Sequence, residues 1–211
     1  MTTIVAVQGA GWAVVGYDSQ VTEEDGRRYT MARGSSKVAK NGEYFLGAAG
    51  DVRAINILAY AFSPPKVGEL TGVRLDRFIT SKFVPALRAC FEAQGYAASK
   101  ESKESAEQGS VVLVVVNGTI YVIGEDYAWV RDSGGIYAFG SGGDYALGAL
   151  YSFGIEKVTS RVDTAQDLIR SSLTAASKLD PGTGPPFHVM TQSPISKTKV
   201  SKMTTTKRNT K

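Results

Sequence analysis

The sequence predicts an α+β fold in which two antiparallel sheets lie face to face between two helical layers. Three observations carry this. Apolar residues recur at strand period in some stretches and at helix period in others, in the order ββββ, αα, βββ, αα, β. Short turns join consecutive strands, with Asn41-Gly42 and Asn117-Gly118 as hairpin signals, so neighbours run antiparallel. Each sheet must cover a face and each helix pair must bury an apolar stripe, and a four-layer αββα sandwich meets both demands. With 211 residues and 43% hydrophobic content, one folded domain over residues 1–195 is expected, followed by a basic tail over 196–211.

The elements follow in order. Residues 3–8 read as a strand and "GWAVVGYDS" as its partner, joined by Gly9-Ala10-Gly11. A polar loop, "TEEDGRRYTMARGSS", comes next, and "SKVAKNGEYFLGAAGD" supplies two more strands. The period then changes: "DVRAINILAYAF" is a helix stopped by Ser63-Pro64-Pro65. A second helix is expected from about Leu75 into "FVPALRACFEAQG", interrupted near Pro85, and the charged "AASKESKESAEQG" reads as an exposed loop. Strands return in "SVVLVVVNGTIYVIG" and "GGIYAFGSGG". "DYALGALYSFG" and "TAQDLIRSSLTAASKL" are helices, and "PPFHVMTQ" is the last strand.

Composition narrows the function. No apolar run has the length of a membrane span, and the first residues lack the basic and apolar regions of a signal peptide, so a cytoplasmic protein without membrane association is expected. The single cysteine, Cys90, lies in an amphipathic helical pattern and reads as a structural thiol. The single histidine, His188, leaves a zinc site or a Ser-His-Asp arrangement without support, and neither metal nor cofactor is expected. The net charge of +4 misleads: six of the 24 basic residues lie in the tail, which leaves 18 against 20 acidic residues in the body. The tail suits nucleic acid or an acidic partner, and equally a solvated extension.

Chemistry concentrates at the start of the chain. Removal of Met1 exposes Thr2 with a free α-amine and a hydroxyl, a nucleophile and its base in one residue. A nearby cation lowers the amine's reference pKa of roughly 8 towards neutrality. On the N-terminus alone, Thr2 as an ordinary strand start is the simpler reading. Asp18 in "GYDSQ" and Lys37 in "SSKVA" border the early strands, where charges are commonly just solvated. "FLGAAGDVRA" places small residues at a strand-to-helix turn, where backbone N–H groups can stabilise an oxyanion or simply make the turn. "AFGSGGDYALGAL" repeats that device but fits neither G-x-G-x-x-G nor a P-loop.

Taken together these stretches resemble the proteasome β-subunit family of N-terminal-nucleophile (Ntn) hydrolases, most closely its bacterial HslV peptidases, over roughly residues 2–190. "TTIVAV" with "VVGYDSQVT" matches the threonine strand and its aspartate, which stands sixteen residues after Thr2. "SSKV" is similar to the family's lysine motif, "LGAAGD" to its oxyanion turn, "GSGGDYALGAL" to its Gly-Ser-Gly helix start and "LDPGTG" to its later Asp-x-x-Ser-Gly element. The resemblance implies a threonine peptidase with Thr2 as nucleophile and its amine as base. Lys37 would then lower the pKa of Thr2, Asp18 would hold Lys37, and Gly50 N–H would donate to the oxyanion. Ser141 would sit beside the amine, oriented with Asp180 and Thr183. It also implies that Thr22 and Gly50 pair with an extended peptide, and that Val21, Ser35, Ala48 and Val52 line a specificity pocket favouring apolar side chains. A homo-oligomeric ring, peptide or unfolded-protein substrates and an ATP-dependent unfoldase enter through the resemblance alone.

The sequence departs from the family in a longer loop before Lys37, Ser36 in place of a second lysine, Asp51 in place of a glycine, Thr183 in place of a serine, and the tail. Asp51, the tail and a retained Met1, which would block the Thr2 amine, favour a second reading: a non-catalytic assembly or virion structural protein that keeps the fold.

Overall fold

The computed structural model describes residues 1–23, 25–96, 109–157 and 161–193. The basic tail lies outside them, as does the charged stretch "AASKESKESAEQG" apart from Gly109. Strands β1 (Thr3–Gly9), β2 (Trp12–Tyr17), β10 (Ile136–Gly140) and β11 (His188–Gln192) form one antiparallel sheet in the order β10-β1-β2-β11. Strands β5 (Val38–Asn41), β6 (Tyr44–Gly50), β7 (Ser110–Val116), β8 (Thr119–Ile123) and β9 (Trp129–Val130) form a second, paired in sequence order. β1 is thus an interior strand, so the residues leading into it are held on both sides.

Side-chain parity explains why these strands are apolar throughout. Along β1, Ile4 and Ala6 face one core while Val5 and Val7 face another. Along β7, Leu113 and Val115 join Ile4 and Ala6, whereas Val112, Val114 and Val116 point the other way. A strand buried on both faces loses the polar half of the usual alternation. Three apolar cores result. One lies between the two sheets. One packs the second sheet against α1 (Val52–Tyr60), α2 (Gly72–Phe78) and α3 (Val84–Ala93). The third packs the first sheet against α4 (Gly143–Ser152) and α5 (Val162–Leu179).

Turns fall where the sequence puts them. Asn117 and Gly118 both have positive φ, 51° and 69°, as a two-residue hairpin between twisted strands requires. Three short strands go beyond the sequence reading. The polar loop after Asp18 contains a hairpin of β3 (Gln20–Thr22) and β4 (Arg28–Thr30), a separate two-stranded sheet with few apolar residues to signal it. β9 is only two residues long. The second helix starts earlier than expected, at Gly72, and widens into a π-helical turn over Ile79–Phe83 before α3. Pro85 accounts for the widening, because it brings no N–H to the ladder and its ring crowds the carbonyl four residues back.

Candidate active site

Three elements converge where the chain begins. Asp18 follows the end of β2, Lys37 immediately precedes β5, and Thr2 immediately precedes β1. The Lys37 side chain is 1% exposed and that of Asp18 0%. Lys37 Nζ donates to Asp18 Oδ1 at 2.6 Å, to the Gln20 carbonyl at 2.5 Å and to the Met1 carbonyl at 3.2 Å, which occupies all three of its protons. Asp18 also accepts the Thr3 N–H at 2.9 Å on Oδ1, and the N–H groups of Gln20 and Gly184 on Oδ2 at 3.0 and 3.1 Å. The carboxylate therefore ties together β1, β3 and the segment before β11. Burial pulls the Lys37 ammonium below its ordinary pKa, and the Asp18 charge pulls it partway back.

Thr2 is 3% exposed and bracketed on its other side by the end of β10. Gly140 has φ of 86°, and a Cβ there would run into the Thr2 carbonyl, so only glycine lets the strand approach this closely. The next residue, Ser141, donates from Oγ to Asp180 Oδ2 at 2.8 Å. Thr183 Oγ1 donates to the same oxygen at 2.5 Å and meets Thr3 Oγ1. Gly182 N–H is held by Asp180 Oδ1 at 3.1 Å. A Cβ on Gly182 would meet the Met1 side chain and Ser141 Oγ, so Met1 lies against this cluster.

The turn from β6 into α1 is built separately. Gly50 has φ of 133°, open to glycine alone, and a Cβ would come within 2.5 Å of the Gly109 carbonyl. Asp51 is the N-cap of α1, its Oδ1 accepting the Arg53 N–H at 2.8 Å. Its charge is thus spent on the helix start, a common use of aspartate at that position. Asp51 N–H donates to Ser110 Oγ at 3.0 Å, and Ser110 Oγ is 2.7 Å from the Tyr96 hydroxyl.

The four residues expected to line a pocket fall in different surroundings. Ala48 is fully buried in the core under α1, Val21 is half-buried in β3 beside Thr22, and Val52 opens α1. Ser35 lines a cavity of about 190 Å³, with Met31, Ala39, Lys40, Asn56 and Tyr60 among its walls. Thr22 Oγ1 accepts from Gln20 Nε2, which also donates to the Pro181 carbonyl, so β3 is anchored to the Asp180 turn. Thr3, Gln20 and Gly184 were not singled out from sequence. Their backbone groups, the Thr3 hydroxyl and the Gln20 side-chain amide make these contacts, and none of them leaves a pattern in a single chain. Among the described residues no group of three or more His, Cys, Asp or Glu side chains could hold a metal ion. No helix among them is long and apolar enough to cross a membrane.

The fold has known counterparts. BPH from Thiobacillus denitrificans superposes with a TM-score of 0.67 at 21% identity, covering 91% of this chain and 98% of that one. The same protein in complex with epoxomicin gives 0.66 at 18%, again over 91% and 98%. The eukaryotic HslV from Trypanosoma brucei gives 0.59 at 20%, over 91% of this chain and 99% of that one. No family model matches the sequence, and no curated relative does. The class this defines is the Ntn fold, in its proteasome β-type form. Within that class the likeness extends to HslV, at an identity that establishes fold and no more.

Proposed function

We propose that the chain is a threonine-type endopeptidase whose nucleophile is Thr2 once Met1 is removed, working in the cytoplasm inside a homo-oligomeric ring on peptides or unfolded proteins. The single observation that carries this is the buried Lys37–Asp18 pair with its third proton on the Met1 carbonyl. A lysine shut away from water is costly, and here it is aimed at the peptide unit that links Met1 to Thr2. Loss of Met1 frees that proton for Thr2 and uncovers the amine beside Ser141. Thr2 Oγ1 then attacks the carbonyl carbon of the scissile peptide bond while its proton passes to the Thr2 amine through a water. Gly50 N–H donates to the oxyanion, an effect worth about 3 kcal/mol per donor in other acyl-transfer enzymes. The C–N bond breaks, the amine leaves with the proton, and water hydrolyses the Thr2 ester. Asp18 orients Lys37, and Ser141, Asp180 and Thr183 hold the amine's surroundings. The substrate runs alongside Thr22 and Gly50.

Supporting this reading are the Ntn fold and the binding of epoxomicin by a protein of the same fold. The three cores further support a helix–sheet–sheet–helix order of four layers, with residues 1–195 as the catalytic domain and 196–211 as an appendage. An ATP-driven unfoldase would supply extended substrate.

The test is the intact mass of the purified protein before and after incubation with epoxomicin. Loss of Met1 and one adduct per chain, abolished by Thr2→Ala, is the expected result. Retained Met1 and no adduct would overturn the reading and leave the non-catalytic assembly protein in its place.

A further inference from the structure

Resting on that reading, we infer that Ser110 and Tyr96 are positioning residues for the oxyanion turn, holding the Gly50–Asp51 backbone in its donating geometry through a relay of two hydrogen bonds. Ser110 is 1% exposed and opens β7, directly opposite Gly50 in the register of the second sheet. Its Oγ accepts the Asp51 N–H at 3.0 Å and lies 2.7 Å from the Tyr96 hydroxyl. The Asp51 N–H belongs to the peptide plane that Gly50 begins. Fixing it fixes ψ of Gly50, a residue whose own φ of 133° no side chain restrains.

Without the relay, no side chain would limit ψ of that glycine at the point where the mechanism needs one value of it. The same strand excludes any larger residue, since the Gly109 carbonyl and Ser110 Oγ fill the space where a Cβ would go. The far end of the relay is anchored as well. The Tyr96 ring stands edge-on to Phe91 of α3, with centroids 5.0 Å apart, and the Arg53 guanidinium lies 5.9 Å over its face. Arg53 Nη2 donates to the Gln94 carbonyl at 2.5 Å, and Arg53 N–H binds the Asp51 carboxylate. Helix α1, the end of α3 and the start of β7 thereby close a ring of contacts around one peptide plane. None of these side chains touches Thr2, so the role is one of geometry.

The experiment compares the wild type with Ser110→Ala and Tyr96→Phe in the full chain. Steady-state cleavage of a fluorogenic peptide, inhibition by a peptide aldehyde, and hydrogen exchange of the peptide spanning Gly47–Ala54 are measured on each. A turn displaced by an ångström is expected to lower kcat by about tenfold to a hundredfold. KM should stay within about twofold, because the loss falls on the tetrahedral state. The aldehyde, which forms a tetrahedral adduct, should weaken in step with kcat, and exchange at the turn should quicken. Tyr96→Phe keeps the ring packing, so a fall in kcat at unchanged melting temperature assigns the effect to the hydroxyl. An active wild type with both variants at wild-type kcat would overturn the inference while leaving the peptidase reading intact. A wild type with no turnover and no Thr2 adduct would overturn the peptidase reading, and this inference with it.

Discussion

Lys37 Nζ and Asp18 Oδ1 lie 2.6 Å apart with both side chains shut off from solvent, and among the described residues the other partners of the ammonium are backbone carbonyls. Removing either charge leaves the other buried and unpaired, which costs about 3–5 kcal/mol in such sites. Asp18→Asn and Lys37→Met are each expected to lower stability by about that amount in urea unfolding. The double variant should lose less than the sum of the two, because the second change relieves the first. Additive losses would show that the two groups do not depend on each other.

Asp51 gives a sharper contrast. Its carboxylate caps α1, and asparagine caps equally well without the charge. Asp51→Asn should keep wild-type stability to within a few tenths of a kcal/mol, whereas Asp51→Ala should lose about 1 kcal/mol. Equal losses in both would mean that the charge, and not the cap, matters there.

The sequence made the fold readable because most of its strands are apolar on both faces and its hairpins carry Asn-Gly. β3 and β4 escaped because they are half-buried or exposed and polar, held by a two-stranded sheet and by Gln20 rather than by a core. At the site, the ion pair was legible as two charges at strand ends. The backbone donors of Thr3 and Gly184 were not, since any residue supplies an N–H. The Ser110–Tyr96 relay was hidden for another reason: its two members stand 14 residues apart with no motif between them, and only the pairing of β6 with β7 brings Ser110 against the turn from β6 into α1.

If the chain is the proposed peptidase, the cavity at Ser35 is a candidate subsite for a substrate side chain. Sequence resemblance favours apolar side chains, yet Lys40, Asn56 and Tyr60 give its walls hydrogen-bond donors and a cation beside the apolar Met31, Ala39 and Ile55. Profiling with a peptide library is expected to show tolerance of acidic residues in the active protein. Lys40→Ala should lower their cleavage by about twofold to fivefold relative to neutral ones, the order of one solvent-screened charge pair. An unchanged profile would place the specificity elsewhere.

Tyr127 is one of the buried tyrosines on which alkaline stability depends. It is 8% exposed, its hydroxyl has no hydrogen-bond partner among the described residues, and burial pushes its pKa up to about 12. Below pH 10 the phenol is neutral in both the folded and unfolded chain, and its contribution does not change. Between pH 10 and about 12 the unfolded chain releases the proton and the folded one keeps it, so stability falls by about 2–3 kcal/mol across that window. Tyr44 and Tyr121, also raised by burial, add to the fall. Lys37 works in the opposite sense: its lowered pKa makes folding more favourable as pH rises towards the ordinary lysine value. Tyr127→Phe removes a buried hydroxyl that has nothing to bond, so it should gain about 1 kcal/mol at pH 7. It should also flatten the decline above pH 10, both read from urea midpoints taken at intervals between pH 7 and 11.5. A variant that is less stable at pH 7 and as steep above pH 10 would show that the hydroxyl is satisfied in solution.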